Sequence, residues 1–217
     1  GVPVLATGLG NPAPYSDQVH AAGGKVLSLV GNVKNARRVA DGGADVVVAQ
    51  GHDAGGHTGR IGTMALLPQV LDAVSPTPVI AAGGIADGRG IAAALAMGCI
   101  GVWCGTAFIP TLEANLDDFR KRRILAANEE DTRVTRLYSG KTMRNITNEL
   151  IVAWEDSGTR ALPMGLQGLL VADVMESVKQ ADRQDLLMNA AGQISGLLNE
   201  IRPAGDVLEG MVAEAVE

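Results

Sequence analysis

Five apolar runs dominate the first half of the chain: "VPVLATG" (2–8), "KVLSLVG" (25–31), "ADVVVAQG" (44–51), "PVIAAGG" (78–84) and "IGVWCGTAF" (100–108). None alternates apolar with polar residues. Continuous apolar runs of this length are the pattern of strands buried on both faces, which is how a parallel sheet reads. Parallel strands need a crossover, and a helix is the usual one. One stretch of helical spacing separates each pair of runs, at 15–24, 32–43, 63–74 and 87–98. In the second of these, Val33, Ala36, Val39 and Ala40 share a face, and Gly42-Gly43 stop the helix. Pro68 interrupts or starts the third. The βα rhythm leaves two architectures, a (β/α)8 barrel or a doubly wound sheet. Five strands cannot close an eight-stranded barrel, so the barrel reading expects three more strands ahead of Gly1.

After Pro110 the pattern changes. Strand-like runs become rare and helical ones common, at 138–156, 166–180 and 206–216. The organisation expected is a barrel portion of about five βα units over residues 1–110, a helical domain or lid over 111–190, and a return segment with a terminal helix over 191–217. The chain opens on Gly1-Val2-Pro3 and enters a strand almost at once, so an N-terminal part of the same protein is expected to complete the barrel.

The charge balance excludes some partners. Among 217 residues the net charge is −6 and aromatics are only 3%. A nucleic-acid surface needs clustered positive charge and usually stacking aromatics, and neither is present. Arg120, Lys121, Arg122, Arg123 and Arg133 are interleaved with Asp117, Asp118, Glu129, Glu130 and Asp131, which reads as a solvated helix face. No apolar run reaches the ~18–20 residues of a membrane span. Cys99 and Cys104 lie among small apolar residues and read as buried reduced thiols, the usual state in a cytoplasmic protein.

Glycine marks three strand ends: Gly51, Gly55 and Gly56 after the third run, Gly83-Gly84 after the fourth, and Gly105-Thr106 at the fifth. In parallel βα proteins ligands bind at the carboxyl ends of the strands. Barrel phosphate sites use the loops after the last two strands, where backbone N–H groups face the anion. Gly83, Gly84, Gly105 and Thr106 therefore read as a phosphate cradle, with Thr106 adding a hydroxyl donor; tight turns are the alternative. His57 lies on the glycine loop after the third strand, where a histidine can act as acid or base near neutral pH, or can simply be a surface histidine. His52, Asp53 and His57 match no metal-ligand spacing, and no metal is expected. His20 reads as structural. Lys141 and Arg144 fit either a phosphate contact or a solvated role.

Four stretches together, "AQGHDAGGHTG" (49–59), "PVIAAGGIADGRGIAAALAMG" (78–98), "GVWCGTAF" (101–108) and "AGQISGL" (191–197), resemble the nitronate monooxygenase family, also called 2-nitropropane dioxygenases. That family's relatives include flavin-dependent enoyl-acyl-carrier-protein reductases and NADH:quinone reductases. The resemblance spans about residues 1–110 and returns near 191–201. It implies an FMN-binding TIM barrel closed by a smaller helical domain. It implies that His57, not His52, is catalytic, as a base or as a substrate-orienting group. It carries flavin contacts onto Gln50, Gly55 and Gly56, a first phosphate loop onto Ala82, Gly83 and Gly84, and a second onto Trp103, Cys104, Gly105 and Thr106. Some members have lysine in the preceding strand where this chain has Leu29, and some have aspartate where it has Gln50.

The activity implied is FMN-dependent oxidation of an alkyl nitronate by dioxygen. Two other readings stand beside it: an FMN-dependent NAD(P)H reductase acting on quinones or enoyl thioesters, and a flavin-free phosphate-binding barrel acting as lyase or isomerase. A homodimer is compatible with any of them.

Overall fold

The computed structural model describes residues 1–217. In chain order the strands are β1 Val4–Thr7, β2 Lys25–Val30, β3 Val46–Gln50, β4 Gly56–His57, β5 Val79–Ala82, β6 Gly101–Trp103, β7 Thr132–Thr135 and β8 Met143–Ile146. The helices are α1 Ala13–Ala21, α2 Val33–Asp41, α3 Thr63–Val74, α4 Gly88–Ala96, α5 Asp118–Leu125, α6 Glu149–Asp156, α7 Leu166–Gln180 and α8 Ala204–Val216. The chain forms two compact units. The first comprises Gly1–Asp53, Gly59–Cys104 and Glu209–Glu217; the second comprises Ala54–Thr58 and Gly105–Leu208.

The first unit holds a five-stranded sheet in the order β1-β2-β3-β5-β6, every pair parallel. This is the sheet the five apolar runs require. Val47, Val48 and Ala49 of the central strand are fully buried, as are Val26 and Ala81 on its neighbours. Helix α2 begins where the Asn32 side chain accepts the Asn35 N–H, and it buries Ala36 and Val39. Helix α3 runs through Pro68 without a break and buries Leu66, Leu67 and Val70. Helix α4 starts at Asp87, whose carboxylate accepts the Gly90 N–H, while Glu214 accepts the Gly88 N–H at 2.9 Å. Two carboxylates thus already fill that helix N-terminus. The sheet ends on β1 and β6, and large apolar side chains near those ends are exposed, among them Val2, Val4, Leu9 and Ile100.

One expectation for this half needs correction. The fifth run is a strand only over Gly101–Trp103, and Thr106–Phe108 is a 3-10 turn. The strand stops at Trp103, and Gly105, expected at its end, instead opens the 3-10 turn.

The second unit is not the helical domain that residues 111–190 suggested. It contains an antiparallel sheet in the order β4-β8-β7. Strand β8 is "MRNI", in which two polar residues sit between apolar ones. All four are buried, which hid the strand from any apolar-run criterion. Leu137, Tyr138, Met143, Ile151 and Val171 form one core cluster, and Ile124, Ala127, Ile146 and Ala191 another. The basic stretch is not a wholly solvated face either. Lys121 is buried, and its Nζ donates to the Thr111 carbonyl at 2.6 Å. Arg123 is held by the carbonyls of Asp185 and Thr147.

Candidate functional site

In the first unit the carboxyl edge of the sheet is built around two glycine turns. Gly83 and Gly84 follow β5 with φ of 92° and 75°, a left-handed pair that side chains with Cβ rarely adopt. The Gly83 carbonyl accepts the Thr63 hydroxyl at 2.9 Å, and Thr63 N–H donates to Asp53 Oδ2 at 2.7 Å. Neither Gly83 N–H nor Gly84 N–H finds a backbone acceptor. A Cβ on Gly84 would lie 3.2 Å from Asp53 Cβ, so Asp53 closes that side of the turn. Gly51 is required for a different reason: a Cβ there would collide with Thr63 at the start of α3. Ala82 is buried, Gln50 and Cys104 are half-buried, and Trp103 is 38% exposed. Burial pushes the Cys104 thiol up to about 11, which keeps it protonated and unreactive at neutral pH. His52 is occupied structurally: its Nδ1–H donates to the Gly59 carbonyl at 2.8 Å, and its backbone N–H donates to Ile61.

In the second unit His57 is carried on β4. Gly56 pairs with Arg144 and His57 with Met143 of β8. The pairing is extended by Thr58 N–H donating to the Thr142 carbonyl and the Thr142 hydroxyl donating to the Thr58 carbonyl. A histidine that follows a glycine pair is thereby fixed in a sheet rather than left on a mobile loop. Gly55 allows this by close approach: a Cβ there would lie 2.6 Å from the Ala191 carbonyl carbon. Gly56 supplies a φ of 71°.

The side chain of His57 is placed by the connection between β7 and β8. Its Nε2 lies 2.8 Å from Ser139 Oγ. Burial, and then the positive charge of Lys141, holds the imidazole below its ordinary pKa, so the neutral ring is favoured. The connection itself is rigid. Gln167 is fully buried, donates to the Leu137 carbonyl at 2.8 Å and accepts the Leu162 N–H at 2.9 Å. Asn148 donates to the Tyr138 hydroxyl, which donates to the Leu186 carbonyl. Gly140 turns the chain at φ 79°, beside the Leu162 carbonyl.

Also in the second unit, Gly105 has open space on its Cβ side, and Thr106 is buried with its hydroxyl accepting the Gly192 N–H at 2.9 Å. That hydroxyl keeps its own proton to donate. Arg144, left open between phosphate contact and solvation, is buried, and it donates to the Thr132 hydroxyl. His20 pairs with Asp45 at 2.7 Å, and Asp45 is also bound by Lys25, a cluster that ties α1 to β2.

Sequence reasoning missed Ser139 and Gln167. Ser139 sits in "YSGK", where the Gly-Lys pair signals a turn, but nothing local ties that turn to a histidine 82 residues away. Asp53 was weighed only as a metal ligand, and its role at the start of α3 went unread.

A parallel βα sheet with glycine turns at its carboxyl edge, and a separate small sheet presenting a neutral histidine, define the class: an α/β protein of the kind that binds ligands at strand ends. The comparisons narrow this. The nitronate monooxygenase family model matches residues 1–214, and the chain belongs to that family. A putative monooxygenase of Mycobacterium tuberculosis is 42% identical over 226 residues, covering 99% of this chain and 59% of that protein. The chain therefore spans little more than half the length of that relative. Among solved structures, nitroalkane oxidase from Streptomyces ansochromogenes is similar with a TM-score of 0.89 at 33% identity, covering 99% of this chain and 64% of that one. FabK from Thermotoga maritima is similar with a TM-score of 0.85 at 32% identity, covering 99% and 68%.

Proposed function

We propose that this chain is part of an FMN-dependent oxidoreductase that oxidises alkyl nitronates with dioxygen, with His57 as its catalytic residue. The observation that carries the reading is the half-buried, neutral His57 held in a sheet and hydrogen-bonded to Ser139. Family membership and the likeness to a nitroalkane oxidase support it. The open exposed edges β1 and β6 support further parallel strands, supplied by a longer polypeptide, that complete a TIM barrel.

The residues fit a flavin phosphate. The Gly83 and Gly84 amides are donors without backbone acceptors, in a left-handed turn that glycine allows. Ala82, Gly83 and Gly84 would hold the phosphate by backbone donation. Trp103, Cys104, Gly105 and Thr106 are assigned the second loop, and Gln50, Gly55 and Gly56 the ring. Bound flavin would supply the two-electron redox chemistry. His57 contributes a neutral imidazole, able to take the α-proton of a parent nitroalkane or to orient the nitronate oxygens. General bases of this kind contribute about 10²–10⁴-fold.

The test is an anaerobic absorbance titration of the intact flavin-loaded protein, first with NADH and then with propyl nitronate. Bleaching of the flavin bands by nitronate alone supports the reading. Fast bleaching by NADH replaces it with the NAD(P)H reductase. A protein that binds no flavin returns it to a phosphate-binding lyase or isomerase.

A further inference from the structure

We propose that Ser139 is the positioning residue for His57: its hydroxyl accepts the His57 Nε2–H and so selects the ring's Nε2–H tautomer. The argument is an accounting of one hydroxyl, which has one proton to give and two lone pairs. Ser139 Oγ has four neighbours. Lys141 N–H donates to it at 3.3 Å, the Lys141 carbonyl lies at 3.2 Å, His57 Nε2 at 2.8 Å and Met143 Sδ at 3.8 Å. The Lys141 carbonyl can only accept, so it takes the hydroxyl proton. Lys141 N–H uses one lone pair. One lone pair remains, and only a protonated Nε2 can satisfy it. The other assignment gives the Ser139 proton to His57. It leaves the Lys141 carbonyl facing a hydroxyl lone pair and satisfies one contact fewer.

The scaffold around Ser139 is built to hold this arrangement. Leu137 and Tyr138, immediately before it, are buried in the core cluster, and Met143 closes the other side. The Gln167 side chain pins the Leu137 carbonyl. The hydroxyl is thus placed by backbone rather than by its own rotamer alone, and a neutral imidazole with a defined tautomer is what a directional base requires.

The catalytic consequence rests on His57 being the base, but the tautomer does not, so the two can fail separately. Long-range 1H–15N spectra of the uniformly labelled intact protein report the tautomer of each ring. The chain has three histidines, so the His57→Gln spectrum identifies the His57 signals. The expected result is the Nε2–H tautomer in the wild type. Ser139→Ala should give a mixed tautomer and a fall in kcat of about 10–100-fold with KM little changed. Ser139→Thr, which keeps the hydroxyl, should restore both. An Nδ1–H tautomer in the wild type overturns the proposal even where Ser139→Ala fails to fold. A tautomer that ignores Ser139→Ala, or a changed tautomer with unchanged kcat, overturns it as well.

Discussion

His57 and Ser139 meet at 2.8 Å although 82 residues separate them. The contact lies within one compact unit, where β4 pairs with β8 and the β7–β8 connection folds back over the imidazole. The short segment Ala54–Thr58 belongs to that unit, while the residues flanking it in sequence belong to the other. The candidate base is therefore carried by the antiparallel sheet, and the glycine turn assigned to phosphate by the parallel one.

Replacing His57 by Ala tests the first role directly. The side chain is half-buried at the edge of a three-stranded sheet, and its backbone pairing with Met143 does not depend on the imidazole. The variant should fold and keep its flavin, while turnover of the neutral nitroalkane, which must first lose its α-proton, falls by about 10²–10⁴-fold. Flavin stoichiometry by absorbance and steady-state kinetics check this. A loss below tenfold removes His57 from the mechanism.

The imidazole should also titrate in a stated direction. Its pKa is lowered from the ordinary 6.5, first by burial and then by Lys141. A lowered pKa means that the ring sheds its proton at more acidic pH, so it is neutral at pH 7 and charges only on acidification below the ordinary value. Proton NMR titration of the intact protein should place the His57 midpoint below 6.5. Lys141→Met removes the smaller cause and leaves the larger, so the midpoint should rise yet stay below the ordinary value. A midpoint at or above 6.5 in the wild type contradicts the burial argument.

The parallel sheet was readable in the sequence because each of its central strands is apolar on both faces, so Val46–Gln50 and Val79–Ala82 stand out without alternation. Helix α7 was equally plain and falls at Leu166–Gln180 as expected. The antiparallel sheet was not readable. Strand β4 has two residues, and β8 buries Arg144 and Asn145 between apolar neighbours. Burial of polar residues depends on partners distant in sequence, which no local period reports. His57 could be singled out by its glycine context, whereas Ser139 could not, because its significance lies in a tertiary contact. The glycines carried mixed messages. Gly55 reflects the chain's own approach to Ala191 as much as any ligand, and Gly51 makes room for Thr63.

That distinction can be measured. Gly55→Ala would put a Cβ 2.6 Å from the Ala191 carbonyl carbon, a contact between two backbone segments that cannot swing away as a side chain could. The expected cost is about 1–3 kcal/mol of stability, the range for overpacking. It should appear as a lower midpoint in denaturant unfolding of flavin-free as well as flavin-loaded protein. Destabilisation confined to the loaded form would assign Gly55 to the flavin instead.

Gly84 and Gly105 give the complementary contrast, because both are assigned to phosphate loops but differ in backbone. Gly84 has φ 75° and an Asp53 Cβ 3.2 Å from where its own would stand, whereas Gly105 has φ −109° and open space around it. A β-branched residue is poorly suited to the left-handed region, so Gly84→Val should distort the turn, costing about 1–2 kcal/mol from φ alone. It should also turn the Gly83 and Gly84 amides away from an anion and release FMN. Gly105→Ala should leave unfolding unchanged, because alanine adopts that φ freely and meets nothing. Any loss of FMN in Gly105→Ala then reports on the phosphate contact and not on the fold. Stoichiometric FMN retained by Gly84→Val would remove the Gly83-Gly84 turn from the phosphate site.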